Sequence, residues 1–98
     1  MDITSNPWVI TAADVASGPV TVWPLGQIVT RLQIEFTQYA NTTDNATINQ
    51  ANGKSLAYLK AASDLETVRT GILTGYFNGI VIPQGGITAT GTVRIFHG

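Results

Sequence analysis

The chain has no cysteine. Disulfide staples and thiolate metal sites are therefore excluded, while the redox compartment stays open. It is also poor in charge. Asp, Glu, Lys and Arg make up 11% of its 98 residues, against about 25% in ordinary soluble domains. The net charge is −1, and the five cations are scattered along the chain. No basic patch marks a nucleic-acid surface. There is one histidine, His97. A single His without Cys cannot build a common zinc site unless several carboxylates converge on it. No apolar run approaches the ~20 residues of a membrane-spanning helix. The segment Asp2-Ile3-Thr4-Ser5-Asn6-Pro7 has neither the basic nor the apolar region of a secretory leader, so no signal peptide is expected.

What stands in place of charge is threonine, at 14 positions. Thr suits a pleated surface and can face water or another protein. Two readings follow. One is a Thr-rich β domain and nothing more. The other is a surface that is largely covered in an assembly, because so few charges protect a monomer poorly from self-association. The length fits one domain, residues 1–98, with a modest core.

Strand-length segments alternate with turn signals along the chain. Trp8-Val9-Ile10-Thr11 follows Pro7 and reads as an edge strand. Thr11 and Asp14 have the spacing of a capping box, with Gly18 as a stop, which allows one helical turn. Val20 to Trp23 reads as a strand ended by Pro24. From Ile28 to Tyr39 the period is two: Ile28, Leu32, Ile34 and Phe36 share one face, and Arg31, Gln33 and Glu35 share the other. Asn52-Gly53, between Ala46–Gln50 and Ser55–Lys60, is the signal of a two-residue type I′ hairpin. Ser63 to Glu66 has capping-box spacing for a second short helical turn. Further strands are expected over Val68–Leu73, Tyr76–Ile82 and Thr92–Phe96. In the last, Val93 and Ile95 oppose Thr92, Arg94 and Phe96. Seven or eight strands at this spacing predict an all-β domain: an antiparallel two-sheet sandwich of Greek-key or jelly-roll type, with one or two helical turns.

No catalytic constellation stands out, and no cofactor is implied. His97 reads as an exposed residue beside Gly98. Ser5, Ser17, Ser55 and Ser63 fall in turns or strand starts, with no base marked to activate them. Asp2, Asp14, Glu35, Asp44, Asp64 and Glu66 are dispersed and offer no carboxylate pair. Gly85-Gly86 lacks the Lys and helix of a phosphate loop and reads as a turn. The aromatics carry more promise. Trp8, Trp23, Tyr39, Tyr58, Tyr76, Phe77 and Phe96 can serve as core, as protein-interface anchors, or as a sugar-binding platform. Trp8, near the N-terminus, is the candidate intersubunit anchor. Trp23, Tyr39, Arg31, Glu35 and Phe96 complete a candidate interface.

The second half of the chain has a recognisable cadence. Asn52-Gly53-Lys54 leads into a strand. Phe77-Asn78-Gly79-Ile80-Val81-Ile82 and Pro83 follow, then a Gly-rich turn and Gly91-Thr92-Val93-Arg94-Ile95-Phe96. This pattern, over roughly residues 46–97, resembles small β-sandwich structural proteins of tailed bacteriophages. The resemblance implies a non-enzymatic virion component, either a capsid decoration (cement) protein or a tail-associated one. It implies a location on the capsid surface, binding to the major capsid protein or another virion protein, and a small homo-oligomer with a trimer favoured. From the scattered cations and the lack of a long apolar run, no nucleic-acid or membrane partner is expected. The alternatives are a carbohydrate-binding β-sandwich module, with Trp8, Trp23 and Tyr39 on one exposed face, and a tail- or fibre-associated adhesion protein. An enzyme would need His97 paired with a carboxylate or Ser in a cleft.

Overall fold

A computed structural model describes residues 6–39, 44–61, 66–88 and 90–97. These described residues form seven strands: β1 (Trp8–Thr11), β2 (Val20–Thr37), β3 (Asp44–Asn49), β4 (Ser55–Ala61), β5 (Thr67–Arg69), β6 (Leu73–Ile82) and β7 (Thr92–His97). A 3-10 turn, Ala12–Val15, follows β1. Its capping box forms as the spacing predicts: the Thr11 N–H donates to Asp14 Oδ2 at 2.8 Å. The second helical turn, over Ser63 to Glu66, lies outside the described residues apart from Glu66.

The domain is all-β and antiparallel. The two sheets expected from the strand spacing are, however, joined as one. The strand order is β1-β7-β2-β6-β3-β4, with β5 paired to β2. The organiser is β2. Val20–Trp23, ended by Pro24, and Ile28–Tyr39 were expected as separate strands, but Val20–Thr37 forms a single 18-residue element. Its first half pairs with β6; its second half lies between β7 and β5. β4, at the far end of the order, nonetheless lies against β2 and β5. The sheet therefore curls over, and both halves contribute to one apolar core.

Pro24 does not end the strand because it falls at an irregularity. Between the pairs Trp23↔Ile80 and Ile28↔Asn78, β2 advances five residues while β6 advances two. The surplus segment Pro24-Leu25-Gly26-Gln27 bows outward and is exposed. Among the described residues this half of β2 is paired on the β6 side alone, so the missing proline N–H costs no ladder bond. Gly26 takes φ +86° there, and its N–H donates to Asn78 Oδ1 at 2.7 Å, which pins the bow to β6. A second irregularity follows, where Val29 to Arg31 faces Phe77 to Thr74. A one-residue slip exchanges the two faces of a strand. Ile28, expected inside, is 49% exposed, and Val29 is buried instead. Beyond it, Leu32, Ile34 and Phe36 point inward as expected.

The core is built in rows across strands. Trp8, Ile95 and Ile34 are aligned, as are Ile10, Val93, Phe36 and Val68. From the other half come Ala46, Ile48, Leu59, Ala61, Ile80 and Ile82. The β3–β4 connection differs in detail from the expected type I′ turn. The Gly53 N–H donates to the Gln50 carbonyl, and the Gln50 N–H to the Lys54 carbonyl. Ala51 and Asn52 are thus the central pair, and Gly53 follows at φ +91°. This is a three-residue loop closed by a glycine in the left-handed region.

Two glycines of the terminal cadence are held by packing. A Cβ at Gly91 would stand 2.1 Å from Phe36 Cε1. At Gly79, where φ is +70°, it would stand 2.5 Å from Ala51 Cβ and 2.8 Å from the Trp23 and Pro24 carbonyls.

Candidate functional site

The aromatic candidates are sorted by the direction in which their strands face them. Trp8 is interior, 3% exposed. It sits in a row of stacked rings, with Trp23 at 5.0 Å on one contact and His97 at 3.7 Å on another. Trp8 is therefore no surface anchor. The row forms because β7 pairs with both β1 and β2, which brings His97, opposite Leu32, beneath β1. His97 is not the exposed residue expected beside the last position. It is half-buried, its N–H donates to Asn6 Oδ1 at 3.1 Å, and its carbonyl accepts from Asn6 Nδ2. Trp23 is likewise half-buried. The platform of Trp8, Trp23 and Tyr39 on one exposed face does not exist, and the carbohydrate reading built on it falls with it.

Tyr39, Arg31, Glu35 and Phe96 are accessible to varying degrees. On the outer face of β1, β7, β2 and β5, side chains align across four strands. Val9, Arg94, Glu35 and Arg69 make one rung; Thr11, Thr92, Thr37 and Thr67 make the next. The Thr37 and Thr67 hydroxyls are 2.8 Å apart, within one hydrogen bond. Arg69 pairs with Glu35 at 2.9 Å. Tyr39, 46% exposed, accepts a hydrogen bond from Arg94, and this holds its phenol below the usual value. The carboxyl of Asp14 is lowered as well, chiefly by the Thr11 backbone N–H. Phe96 lies opposite Gln33 on the same face, half-buried.

At one end of this face a cleft of about 250 Å³ opens, lined by Arg31, Leu32, Gln33, Ile72, Phe96 and His97. Among the described residues no three of His, Cys, Asp and Glu come together to hold a metal ion. Ser17 and Ser55 are exposed; Ser5 and Ser63 lie outside the described residues. Asp44 and Gln38 are buried together, and the Asp44 N–H donates to Gln38 Oε1 at 3.1 Å. Their contact ties the end of β2 to the start of β3.

A second surface was not anticipated. Leu25 is 63% exposed, Ile28 49%, Ile72 56% and Tyr76 84%. All four belong to the paired stretch of β2 and β6 or its immediate approach. Most of that stretch carries no charge: residues 15–30 and 70–93 have no Asp, Glu, Lys, Arg or His, and Arg31, opposite Thr74, is the charged residue at its end. The charge-free runs were a signal available in the sequence. The outward direction of the four side chains was not, because it depends on the bow at Pro24 and the slip at Val29. Comparison with family models, with curated proteins and with solved structures finds no match.

Proposed function

We propose that this protein is a non-enzymatic structural component of a phage virion. In this reading it is a capsid decoration or cement protein that binds the major capsid protein lattice as a small oligomer. The observation that carries the reading is the exposed apolar set Leu25, Ile28, Ile72 and Tyr76, all drawn from the uncharged runs 15–30 and 70–93. Exposed apolar surface of this size on one strand pair is a mark of an interaction surface. A tightly built β domain supports it too, since it can clamp neighbours without rearranging. The phage-like cadence of residues 46–97 adds the class of partner.

The test has two parts. The chain at micromolar concentration should scatter light as an oligomer, and it should co-purify with virions. The double change Leu25→Asp and Tyr76→Asp should return it to a monomer while leaving its melting temperature within a few degrees, because both residues are exposed. A wild-type monomer that never enters virions overturns the proposal. Presence in tails but not capsids would assign the alternative, tail-associated position.

A further inference from the structure

The cleft between β2, β7 and the approach to β6 shares only Ile72 with the proposed assembly surface. Its walls are apolar: Leu32, Ile72 and Phe96. Its polar lining is Arg31, Gln33 and His97, and among the described residues no carboxylate lines it. Arg31 is exposed and makes no ion pair among the described residues. The acid two places beyond Gln33, Glu35, is already engaged by Arg69. Gln33 Nε2 makes one long contact, 3.3 Å to the Thr70 carbonyl, so its Oε1 and its second amide hydrogen are uncommitted in that bond. The His97 ring is fixed by its stack on Trp8, and its Nε2 is buried without a hydrogen-bond partner.

We infer that this cleft binds a carboxylate carried on a branched-aliphatic or aromatic body. The body would lie between Ile72 and Phe96, and the carboxylate would take the Arg31 guanidinium. Arg presents a planar fork of donors that matches a carboxylate and is always charged. A phosphate would leave the apolar walls unused, and a cation would meet Arg31. A neutral amide of the same shape would lose the charge-assisted bonds. The same chemistry can reach the cleft as a free small acid or as the C-terminal residue of a chain. The inference does not depend on the virion reading: of the proposed assembly set only Ile72 lines the cleft, and Leu25, Ile28 and Tyr76 do not.

The experiment is a titration of the ¹⁵N-labelled full chain, followed by amide shifts. The probes are 3-phenylpropanoate, its primary amide, N-acetyl-glycyl-leucine and the C-terminal amide of that dipeptide. The acids should shift the amides of residues 31–33, 72, 96 and 97, and the two amides should not. Arg31→Gln should weaken acid binding by roughly tenfold or more, as expected for loss of a hydrogen bond to a charged group. Arg31→Lys should retain part of it. Arg31 is exposed, so neither variant should disturb the fold, and the remaining amide shifts verify this. Tighter binding of the dipeptide assigns the site to a chain end; tighter binding of phenylpropanoate assigns it to a small acid. Equal binding of acids and amides, an unchanged affinity in Arg31→Gln, or no saturable shift by about 10 mM (the affinity range in which a single weak contact set ceases to matter) overturns the inference.

Discussion

A Cβ on Gly91 would meet the ring of Phe36 at 2.1 Å, and Phe36 is fully buried. Gly91→Ala should therefore cost roughly 1–3 kcal/mol by overpacking, read from urea denaturation. Gly18→Ala is the control: nothing lies within 4 Å of its would-be Cβ, and the change should fall within about 0.5 kcal/mol. Equal effects would mean that the close approach of Gly91 to Phe36 is not made. Tyr39 offers a test of a different kind. Its phenol is lowered from 10.0, mainly by the Arg94 hydrogen bond. The folded phenol then ionises before the unfolded one. The resulting stability is fully present above the unfolded value near 10.0 and is lost as the pH falls through the folded value. At neutral pH the phenol is protonated in both states, and the pairing changes nothing there through linkage. An absorbance titration should show one midpoint below the usual range, and Arg94→Gln should raise it. An identical titration in the variant would refute the pairing. At this scale the sequence shows Gly91 and Tyr39 as residue types, yet neither neighbour can be read from it. Phe36 lies 55 positions from Gly91, and Arg94 lies 55 from Tyr39; pairing of β2 with β7 brings both together.

Elements were legible where the backbone chemistry is local. The edge strand after Pro7, the capping box of Thr11 and Asp14, and the alternation of β7 all form as their residues imply. The β3–β4 hairpin was legible as a hairpin but not as a turn type, because Asn-Gly can occupy the centre of a two-residue loop or the end of a three-residue one. The distinction has a consequence. Gly53 has φ +91° with open space around it, so Gly53→Ala should lower stability by about 1–2 kcal/mol through backbone strain alone. Gly53→Asn should cost less, since Asn tolerates the left-handed region. Thermal unfolding of the two variants gives the order; Asn as costly as Ala would contradict this geometry. The long strand β2 was the element least visible in sequence. Pro24 is a strong stop signal for a paired strand. On a side of β2 left unpaired among the described residues, and inside a bow tied down by Asn78, the stop is not enforced. The slip that follows turned Ile28 outward and Val29 inward, and no period-two reading could anticipate which way.

For the whole molecule, the low charge proves to be unevenly distributed. The charged side chains Glu35, Arg69 and Arg94 cluster on the outer face of β2, β5 and β7, while the β2–β6 ribbon has none from Val20 to Thr30 or from Leu73 to Ile82, Arg31 standing at its end. Exposed apolar residues sit on the uncharged part. If that part is the contact surface, introducing Ile28→Lys should reduce association several-fold by sedimentation velocity. Glu35→Gln should leave it unchanged, and should cost under about 1 kcal/mol of stability because Arg69 is 58% exposed. Association that responds to Glu35→Gln but not to Ile28→Lys would move the contact to the charged face.

The sequence by itself determined the class of this protein. Period-two segments, turn residues and an absence of long apolar or helical patterns leave an antiparallel β domain as the economical solution, because each is a property of neighbours along the chain. It also determined the scarcity of charge. Tertiary structure decided what the surface is. Trp8 and His97 were drawn inward by the pairing of β7 with β1 and β2, and Trp23, on β2, stacks on Trp8. Leu25, Ile28, Ile72 and Tyr76 were left outward by irregularities between β2 and β6. Burial is set by which strands meet and in what register, and register is a relation between segments far apart in sequence.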